Sequence, residues 1–165
     1  MEEKKRRPTT NDRNILRASI LAVNDGLSTN FNFIMGVMGA GMTNRSVILA
    51  GIVSILAGAF SMGMGEWLSL STVNDRRIDF VKAGLVSFIT FVIGASIPIA
   101  PFFFFDMDDA LFNSAVLCAC AMFTVGVSDG KKFPIRSGIK HVIVGLSIAF
   151  VTHFIASYIP FILGG

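Results

Sequence analysis

The chain has 165 residues, of which 53% are hydrophobic and 15% are charged, and its net charge is +3. A mean hydropathy of +0.68 excludes an ordinary soluble domain, in which about a quarter of the residues are charged. The basic residues lie at the ends of apolar stretches, where they set membrane topology and can touch anionic lipid headgroups, so no nucleic-acid partner is predicted. The composition predicts an all-α integral membrane protein whose first partner is the lipid bilayer.

In chain order, residues 1–14 are predicted to be a flexible basic tail in the cytoplasm, and residues 15–165 a single five-helix transmembrane domain. Five stretches are close to the ~20 residues that a helix needs to cross the hydrocarbon core. They must be helical, because no water is available there to satisfy the backbone. The predicted spans are Ile15–Ala40, Ser46–Leu70, Gly84–Phe105, Ala110–Val127 and Ile139–Ile159.

The positions of the 14 Lys and Arg residues predict the orientation of these spans. All of them except Arg45 fall on one side of the membrane when the five spans alternate in direction. The positive-inside rule then puts the N-terminus in the cytoplasm and the C-terminus outside or in a lumen. An odd number of spans requires the same split. The membrane is expected to be the plasma membrane in a prokaryote or the vacuolar membrane in a eukaryote.

Two carboxylates, Asp25 and Glu66, lie inside the first two predicted spans. An ionised carboxylate in hydrocarbon is costly unless it is paired or faces a wet cavity, so such residues mark ion or substrate paths. Counted from Ala18 and from Val73, the two carboxylates lie about 10 Å deep at 1.5 Å per residue. If the two helices pack side by side, both carboxylates should lie at one level near the cytoplasmic side.

Further polar groups continue from these acids into the membrane. Thr29 and Asn32 follow Asp25 at the spacing of one helix face, and Met62 precedes Glu66 by one turn. Carboxylate and amide oxygens suit divalent ions, and a thioether shifts the preference toward Fe²⁺ or Mn²⁺. The residues therefore predict a cation path. A structural acid pair, a divalent cation channel and a non-transporting membrane assembly protein remain as alternatives.

Small residues in the second span are spaced four apart, a pattern common where transmembrane helices pack closely. Ser54 with Gly58 forms one such pair, and Ala57, Ser61 and Gly65 form a second series. Plain helix packing is enough to explain both.

The other chemistry-bearing residues are predicted to be structural. Two scattered histidines offer no His-Glu-x-x-His site, so an enzyme is not predicted. His153 could relay protons or bind metal, but a hydrogen bond to a neighbouring helix is the more common role. Cys118 and Cys120 should point to different sides of one helix as packing residues. Pro98 and Pro101 should kink or locally unwind the third helix.

Two motifs make the chain resemble the vacuolar iron transporter family. Residues 17–27 read RASILAVNDGL and continue to Met35-Gly36-Val37, which is similar to the family's first helix. Residues 57–69 read AGAFSMGMGEWLS, which is similar to its second helix. The layout of the third span, with Gly94, Pro98 and Pro101, and of the fifth, opening at residues 138–139, is also similar. The resemblance covers nearly the whole chain.

The resemblance implies a five-helix homodimer that exports Fe²⁺, and often Mn²⁺, from the cytosol in exchange for protons. The family's metal ligands correspond to Asp25, Met62 and Glu66. It implies no tightly bound cofactor, since the metal is the substrate and H⁺ is the coupling ion.

This chain departs from many family members between its second and third spans. Those members carry a glutamate-rich cytoplasmic insertion that gathers metal, whereas only residues 74–82 lie here, with Asp75 and Asp79 as the acids. Two acids are too few for a multi-ion cage. The chain therefore resembles the shorter, nodulin-21-like branch. In that branch Asp25 and Glu66 must attract the ion and also pass it on.

Overall fold

A computed structural model describes residues 10–73, 79–129 and 133–162 of the chain. Within these ranges every regular element is helical, which confirms the predicted all-α class. A short 3₁₀ turn, Ala100–Phe103, continues the third helix. The five α-helices are α1 (Thr10–Gly39), α2 (Asn44–Ser71), α3 (Phe80–Ile99), α4 (Met107–Asp129) and α5 (Pro134–Ile162).

Four of these helices are long and apolar enough to cross a membrane within the described residues: Asn44–Ser71, Phe80–Phe103, Met107–Ser128 and Pro134–Ile162. The protein is therefore an integral multi-pass membrane protein. The remaining helix, α1, has the length but carries Arg13, Arg17 and Asp25 along with several asparagines. Its composition alone does not qualify it as a span, although the chain was predicted to have five.

Local side-chain chemistry explains where the helices begin. The Thr43 hydroxyl accepts a 3.3 Å hydrogen bond from the Ser46 backbone N–H, which caps α2. The Asp79 carboxylate accepts a 3.0 Å bond from the Lys82 N–H and caps α3 in the same way. Gly41, just past the end of α1, has a φ of +75°, the left-handed conformation that glycine adopts most easily after a helix.

The first helix begins earlier than expected, inside the stretch of residues 1–14 that was predicted to be a tail. Residues 10–14 are helical, while residues 1–9 lie outside the described part of the chain. Asp12 in the first turn suits the helix dipole. The Asn11 side-chain oxygen also accepts a 3.0 Å hydrogen bond from the Asp79 N–H. A tertiary contact with the start of α3 thus supports this end of α1.

The first helix is central, because it contacts all four of the others and packs most extensively against α3. Two glycines allow this approach. A Cβ at Gly26 would collide with the Phe91 carbonyl oxygen, and one at Gly94 would collide with the Val23 carbonyl oxygen. The α1–α3 backbones are therefore in direct contact, as small residues permit in membrane helices.

On its other side α1 packs against α5. A Cβ at Gly39 would collide with the backbone carbonyl of His153. The His153 ring Nδ1 lies 3.0 Å from the Met35 carbonyl oxygen, which only accepts, so Nδ1 is the donor. The predicted hydrogen bond from His153 to a neighbouring helix is confirmed.

One of the two small-residue series in α2 marks a helix contact. Gly58 lies against the Phe91 ring of α3, so close that a Cβ there would overlap the ring. Ala57, Ser61 and Gly65 are instead exposed, and a Cβ at Gly65 would meet no atom within 4 Å. The expectation of close packing is wrong for this second series within the protomer, because α3 packs against the opposite side of α2.

Cys118 and Cys120 point to different sides of α4 and the prolines interrupt α3, as predicted, but the expected packing role is confirmed only for Cys118. Cys118 is buried and Cys120 exposed, and both are free thiols. The α-helix of α3 ends at Ile99, directly after Pro98, and the chain tightens into the 3₁₀ turn that contains Pro101. The buried Ser114 hydroxyl donates a 2.7 Å hydrogen bond to the Pro98 carbonyl oxygen. A side chain of α4 thereby satisfies an acceptor that the prolines leave open.

Candidate functional site

Asp25 lies on the exposed side of α1, midway along the helix. The Thr29 hydroxyl, one turn further, donates a 3.1 Å hydrogen bond to Oδ1 of Asp25. Leu21 and Phe33 continue the same exposed stripe, one turn before and one turn after this pair. A carboxylate and a hydroxyl are thus held on the outer surface of a helix that otherwise packs among membrane spans. Facing lipid, such a carboxylate would be strongly disfavoured.

Glu66 lies in α2 and is half-buried. It lines a cavity of about 140 Å³ between α1 and α2. The cavity is lined on the α1 side by Asn14, Arg17, Ala18 and Leu21 and on the α2 side by Glu66, Ser69 and Leu70. A carboxylate, a guanidinium, an amide and a hydroxyl therefore meet in one small space near the start of α1.

The structure places Glu66 beside α1 residues that come before Asp25, whereas depth counting predicted one level for the two carboxylates. The α1 residues around the Glu66 cavity end at Leu21, one helical turn before Asp25. The reason lies in the helix ends. Asp25 stands about 22 Å along α1 from Thr10, whereas Glu66 stands only about 8 Å from Ser71 at 1.5 Å per residue. Glu66 therefore lies near the end of its helix, whereas Asp25 lies near the middle of α1.

Met62 lies one turn from Glu66, on the side away from the basic end of the bundle, which is the end where Arg13 and Arg17 of α1 lie. It is half-buried and packs against an apolar cluster that contains Ala22 of α1 and Ala59 of α2. The contact of Gly63 with the Gly84 carbonyl holds the neighbouring part of α2 close to α3. The thioether therefore packs against a core that α1, α2 and α3 share, one helical turn further into the bundle than Glu66.

Asn32 belongs to a different part of the protomer from Asp25 and Thr29. It lines a cavity of about 390 Å³ between α1 and the α4–α5 pair, together with Asn24, Ser28 and His141. Its Oδ1 is buried and has no hydrogen-bond partner among the described residues. The helical spacing that grouped Asn32 with Asp25 is correct, but Asn32 lines the cavity toward α4 and α5 and Asp25 does not.

One protomer therefore brings together Asp25 with Thr29, and Glu66 with the start of α1, while Asn32 is separate. No cluster of three or more His, Cys, Asp or Glu side chains occurs among the described residues. A divalent ion takes six or more oxygen ligands when only hard donors are available. The exposed position of Asp25 leaves room for ligands from outside the protomer.

Sequence reasoning missed two residues of these cavities. The sequence indicates Arg17 only as one of the basic residues at the ends of the spans, yet it lines both the Glu66 cavity and a larger one beside α4 and α5. Asn24 lines the cavities on the α4–α5 side and was not singled out. The recurrence of Asn24, Ser28 and Asn32 every four residues could have indicated a second polar stripe, next to that of Asp25.

The chain matches the family model described as the VIT family over residues 16–79 and 74–157. It is 27% identical over 160 residues to vacuolar iron transporter homolog 4 of Arabidopsis thaliana, covering 84% of this chain and 80% of that protein. It is 27% identical to homolog 2.1 of the same plant, over 86% of this chain and 82% of the relative. Vacuolar iron transporter 1 of Arabidopsis thaliana is 39% identical over 62 residues, 38% of this chain and 25% of that protein.

Proposed function

The chain belongs to the VIT family, and on that premise we propose that it exports a divalent transition metal, Fe²⁺ or Mn²⁺, from the cytosol by proton antiport. The observation that carries the proposal is the exposed carboxylate of Asp25, held by Thr29 on the outer side of the central helix. A buried structural acid would be paired inside the protomer. This one is presented outward, where an ion can reach it.

The proposal includes α1 as a fifth membrane span. Its composition is polar, but its buried Asn30 donates a 2.7 Å hydrogen bond to the Ala95 carbonyl of α3. Its glycines bring it into backbone contact with α3 and α5, so neighbouring helices shield from lipid the polar groups on its packed faces. With five spans, the basic end of the bundle faces the cytoplasm and the C-terminus lies outside or in a lumen.

A homodimer completes the site. An isologous two-fold contact presents the same surface of each copy to the other. If the stripe of Leu21, Asp25, Thr29 and Phe33 forms that contact, two carboxylates and two hydroxyls face each other. That doubling supplies the ligands that one protomer lacks, and it removes Asp25 from lipid. The exposure of this stripe in the protomer supports the dimer.

The ion path begins at the basic end. A hydrated ion enters the cavity beside Glu66, where Asn14 and Ser69 offer neutral oxygens. It then passes Met62, whose thioether favours Fe²⁺ and Mn²⁺ over Mg²⁺. It reaches Asp25 and Thr29 about one turn further along α1. Glu66 acts as the entry ligand and Asp25 as the ligand in the membrane.

Protons drive the exchange because a carboxylate binds either a proton or a metal ion. Protonation of Asp25 and Glu66 from the acidic side displaces the metal there. On the cytoplasmic side the proton leaves and a new metal ion binds. No resident cofactor is part of this cycle, since the metal is cargo.

Transport in proteoliposomes tests the proposal. Proteoliposomes that contain the purified chain should take up Fe²⁺ and Mn²⁺ faster when their interior is acidic. The substitution Asp25→Asn should abolish this uptake. The matched control is Asp109→Asn, which changes an acid in the first turn of α4, far in sequence from Asp25 and Glu66. This variant should transport normally. Metal uptake at the same rate with and without the pH gradient would indicate that the protein is a channel. Full transport by Asp25→Asn, or no flux by the wild type, would reject the proposal in favour of an assembly role.

A further inference from the structure

A second and larger groove runs between α1 and the α4–α5 pair at the basic end of the bundle. Its first part has a volume of about 610 Å³. Arg13, Arg17 and His141 line it, together with apolar side chains that include Leu16 and Ile20. The cavity of Glu66 lies on the α2 side of α1 and shares Arg17 and Leu21 with this groove. The proposed ion path does not use it.

The groove continues along α5. A neighbouring cavity of about 390 Å³ shares Asn24 and His141 with the first part and adds Lys140. A third cavity of about 590 Å³ shares Lys140 and includes Arg136 at the start of α5. The shared residues place the three cavities next to one another along α1 and α5, and we refer to them together as the groove.

The charge of this groove has one sign. Arg13, Arg17, Arg136 and Lys140 line it, and no carboxylate is among the described side chains of its lining. Guanidinium groups bind phosphate oxygens in a bidentate geometry, and an ammonium adds a compact charge. The groove is therefore complementary to an anion.

The groove is also amphipathic. Beyond Lys140, the exposed side chains of Val144 and Ile148 continue along α5 toward the middle of the bundle. Phe133 and Ile135 add exposed apolar surface at the start of α5. An inorganic anion would use only the basic end of this surface. A molecule with an anionic head and an apolar tail would cover both parts.

A second copy of the chain suits this groove less well. In an isologous contact centred here, the arginines of one copy would face those of the other. Like charges brought together in this way would oppose association.

We propose that the groove between α1 and α4–α5 binds the phosphate headgroup of an anionic phospholipid, whose acyl chain lies along Val144 and Ile148. Arg13, Arg17 and Lys140 hold the phosphate. Basic pockets between transmembrane helices on the cytoplasmic side are a recurrent form of lipid recognition. This lipid site rests on the proposed function in one respect, the orientation that makes the basic end face the cytoplasmic leaflet. Its test measures lipid binding and does not depend on transport.

His141 adds a preference within this lipid class. Its Nδ1 lies 3.0 Å from the Ser137 carbonyl oxygen, so Nδ1 carries the hydrogen. In the neutral ring Nε2 is then an acceptor. An acceptor beside the basic groups suits a hydroxyl-bearing headgroup such as that of phosphatidylglycerol.

Lipid binding to the purified full chain, measured by native mass spectrometry, tests the proposal. Phosphatidylglycerol should bind about tenfold more tightly than phosphatidylcholine with the same acyl chains. The double variant Arg13→Gln/Lys140→Gln should lose about tenfold in phosphatidylglycerol affinity, since each basic residue near an anionic headgroup contributes substantially. The control Arg45→Gln/Lys82→Gln removes two charges outside the groove and should stay within about twofold of the wild type.

Three outcomes would overturn the lipid site: equal binding of the two lipids, equal losses in both double variants, or displacement of phosphatidylglycerol by millimolar inorganic phosphate. The last would assign the basic residues to a soluble anion instead. If the Arg13→Gln/Lys140→Gln protein fails to fold, photocrosslinking of the wild type decides. Phosphatidylglycerol with a diazirine in its acyl chain should label residues 133–148, and labelling confined to α2 and α3 would reject the site.

Discussion

The Thr29 hydroxyl donates a 3.1 Å hydrogen bond to Oδ1 of Asp25, one turn earlier on the exposed side of α1. This contact restrains the carboxylate on the surface of the helix and leaves Oδ2 free to bind an ion. Both groups come from one helix, so their relative position does not depend on how the helices pack. In the proposed homodimer this pair would form one half of the metal site, and the second copy would add an equal half.

Removing the hydroxyl should weaken ion binding without unfolding the protein. Thr29→Val keeps the side-chain shape but loses a donor to a charged acceptor, and we expect transport efficiency to fall by about tenfold. Initial rates of Mn²⁺ uptake against concentration measure this. Thr90→Val, whose hydroxyl bonds only backbone carbonyls within α3, should behave as wild type. Equal rates for the two variants would contradict a role for Thr29.

The thioether of Met62 should affect which metal is transported. Met62→Leu conserves volume and removes the soft donor, so Fe²⁺ uptake should fall several-fold while the weaker interaction with Mg²⁺ changes little. The change in preference for Fe²⁺ over Mg²⁺ is measured by how strongly each metal competes with Mn²⁺ uptake. Met64→Leu, on the exposed side of the same helix, is the matched control. Equal loss for both metals would indicate that Met62 only packs against the core that α1, α2 and α3 share.

The exposed stripe of α1 should be the contact between two copies. In a protein with Cys118→Ala and Cys120→Ala, Leu21→Cys should form a covalent dimer with a short bismaleimide crosslinker in the membrane. Val151→Cys, equally exposed but on α5, should remain monomeric on a denaturing gel. Crosslinking through Val151→Cys with none through Leu21→Cys would place the contact elsewhere and leave Asp25 without its proposed partner.

The close α1–α3 contact should be intolerant of added volume. In Gly94→Ala the new Cβ would collide with the Val23 carbonyl oxygen, and backbone atoms cannot move aside cheaply. Overpacking of this kind costs about 1–3 kcal/mol. A lower melting temperature in detergent should report it. Gly65→Ala, which adds the same methyl group where no atom lies within 4 Å, should melt with the wild type or slightly above it. Identical melting of the two variants would argue against direct backbone contact.

Much of the fold could be predicted from the sequence. Long apolar runs must be helical in a bilayer, and α2 to α5 follow the predicted spans with two to five extra residues at their starts. The additional turns come from side-chain caps such as Asp79 and from flanking residues that tolerate helix. The composition of α1 did not reveal how its polar side chains are satisfied, because Asn30 finds its acceptor on α3, 65 residues away in the chain.

The candidate site was predictable in its residues and less so in its geometry. The cost of burying charge singles out Asp25 and Glu66 from a linear sequence. Their relative height was not predictable, because it depends on where each helix ends, and α1 starts at Thr10 through a contact with Asp79. The surroundings of Asn32 were not predictable either. Its angle around the α1 axis is close to that of Asp25, but its neighbours are α4 and α5.

The sequence by itself determined the membrane class, the helices, the family and the acids that should meet an ion. Each follows from transfer free energies or from motifs that need no neighbours. Only the tertiary structure decided how each helix is rotated about its axis, because backbone contacts such as Gly26 with Phe91 set that rotation. In the packed structure Asp25 and Thr29 face outward, Glu66 lies beside the start of α1, and the basic groove lies beside α5. Helical periodicity relates residues within one helix, whereas packing decides what each face meets.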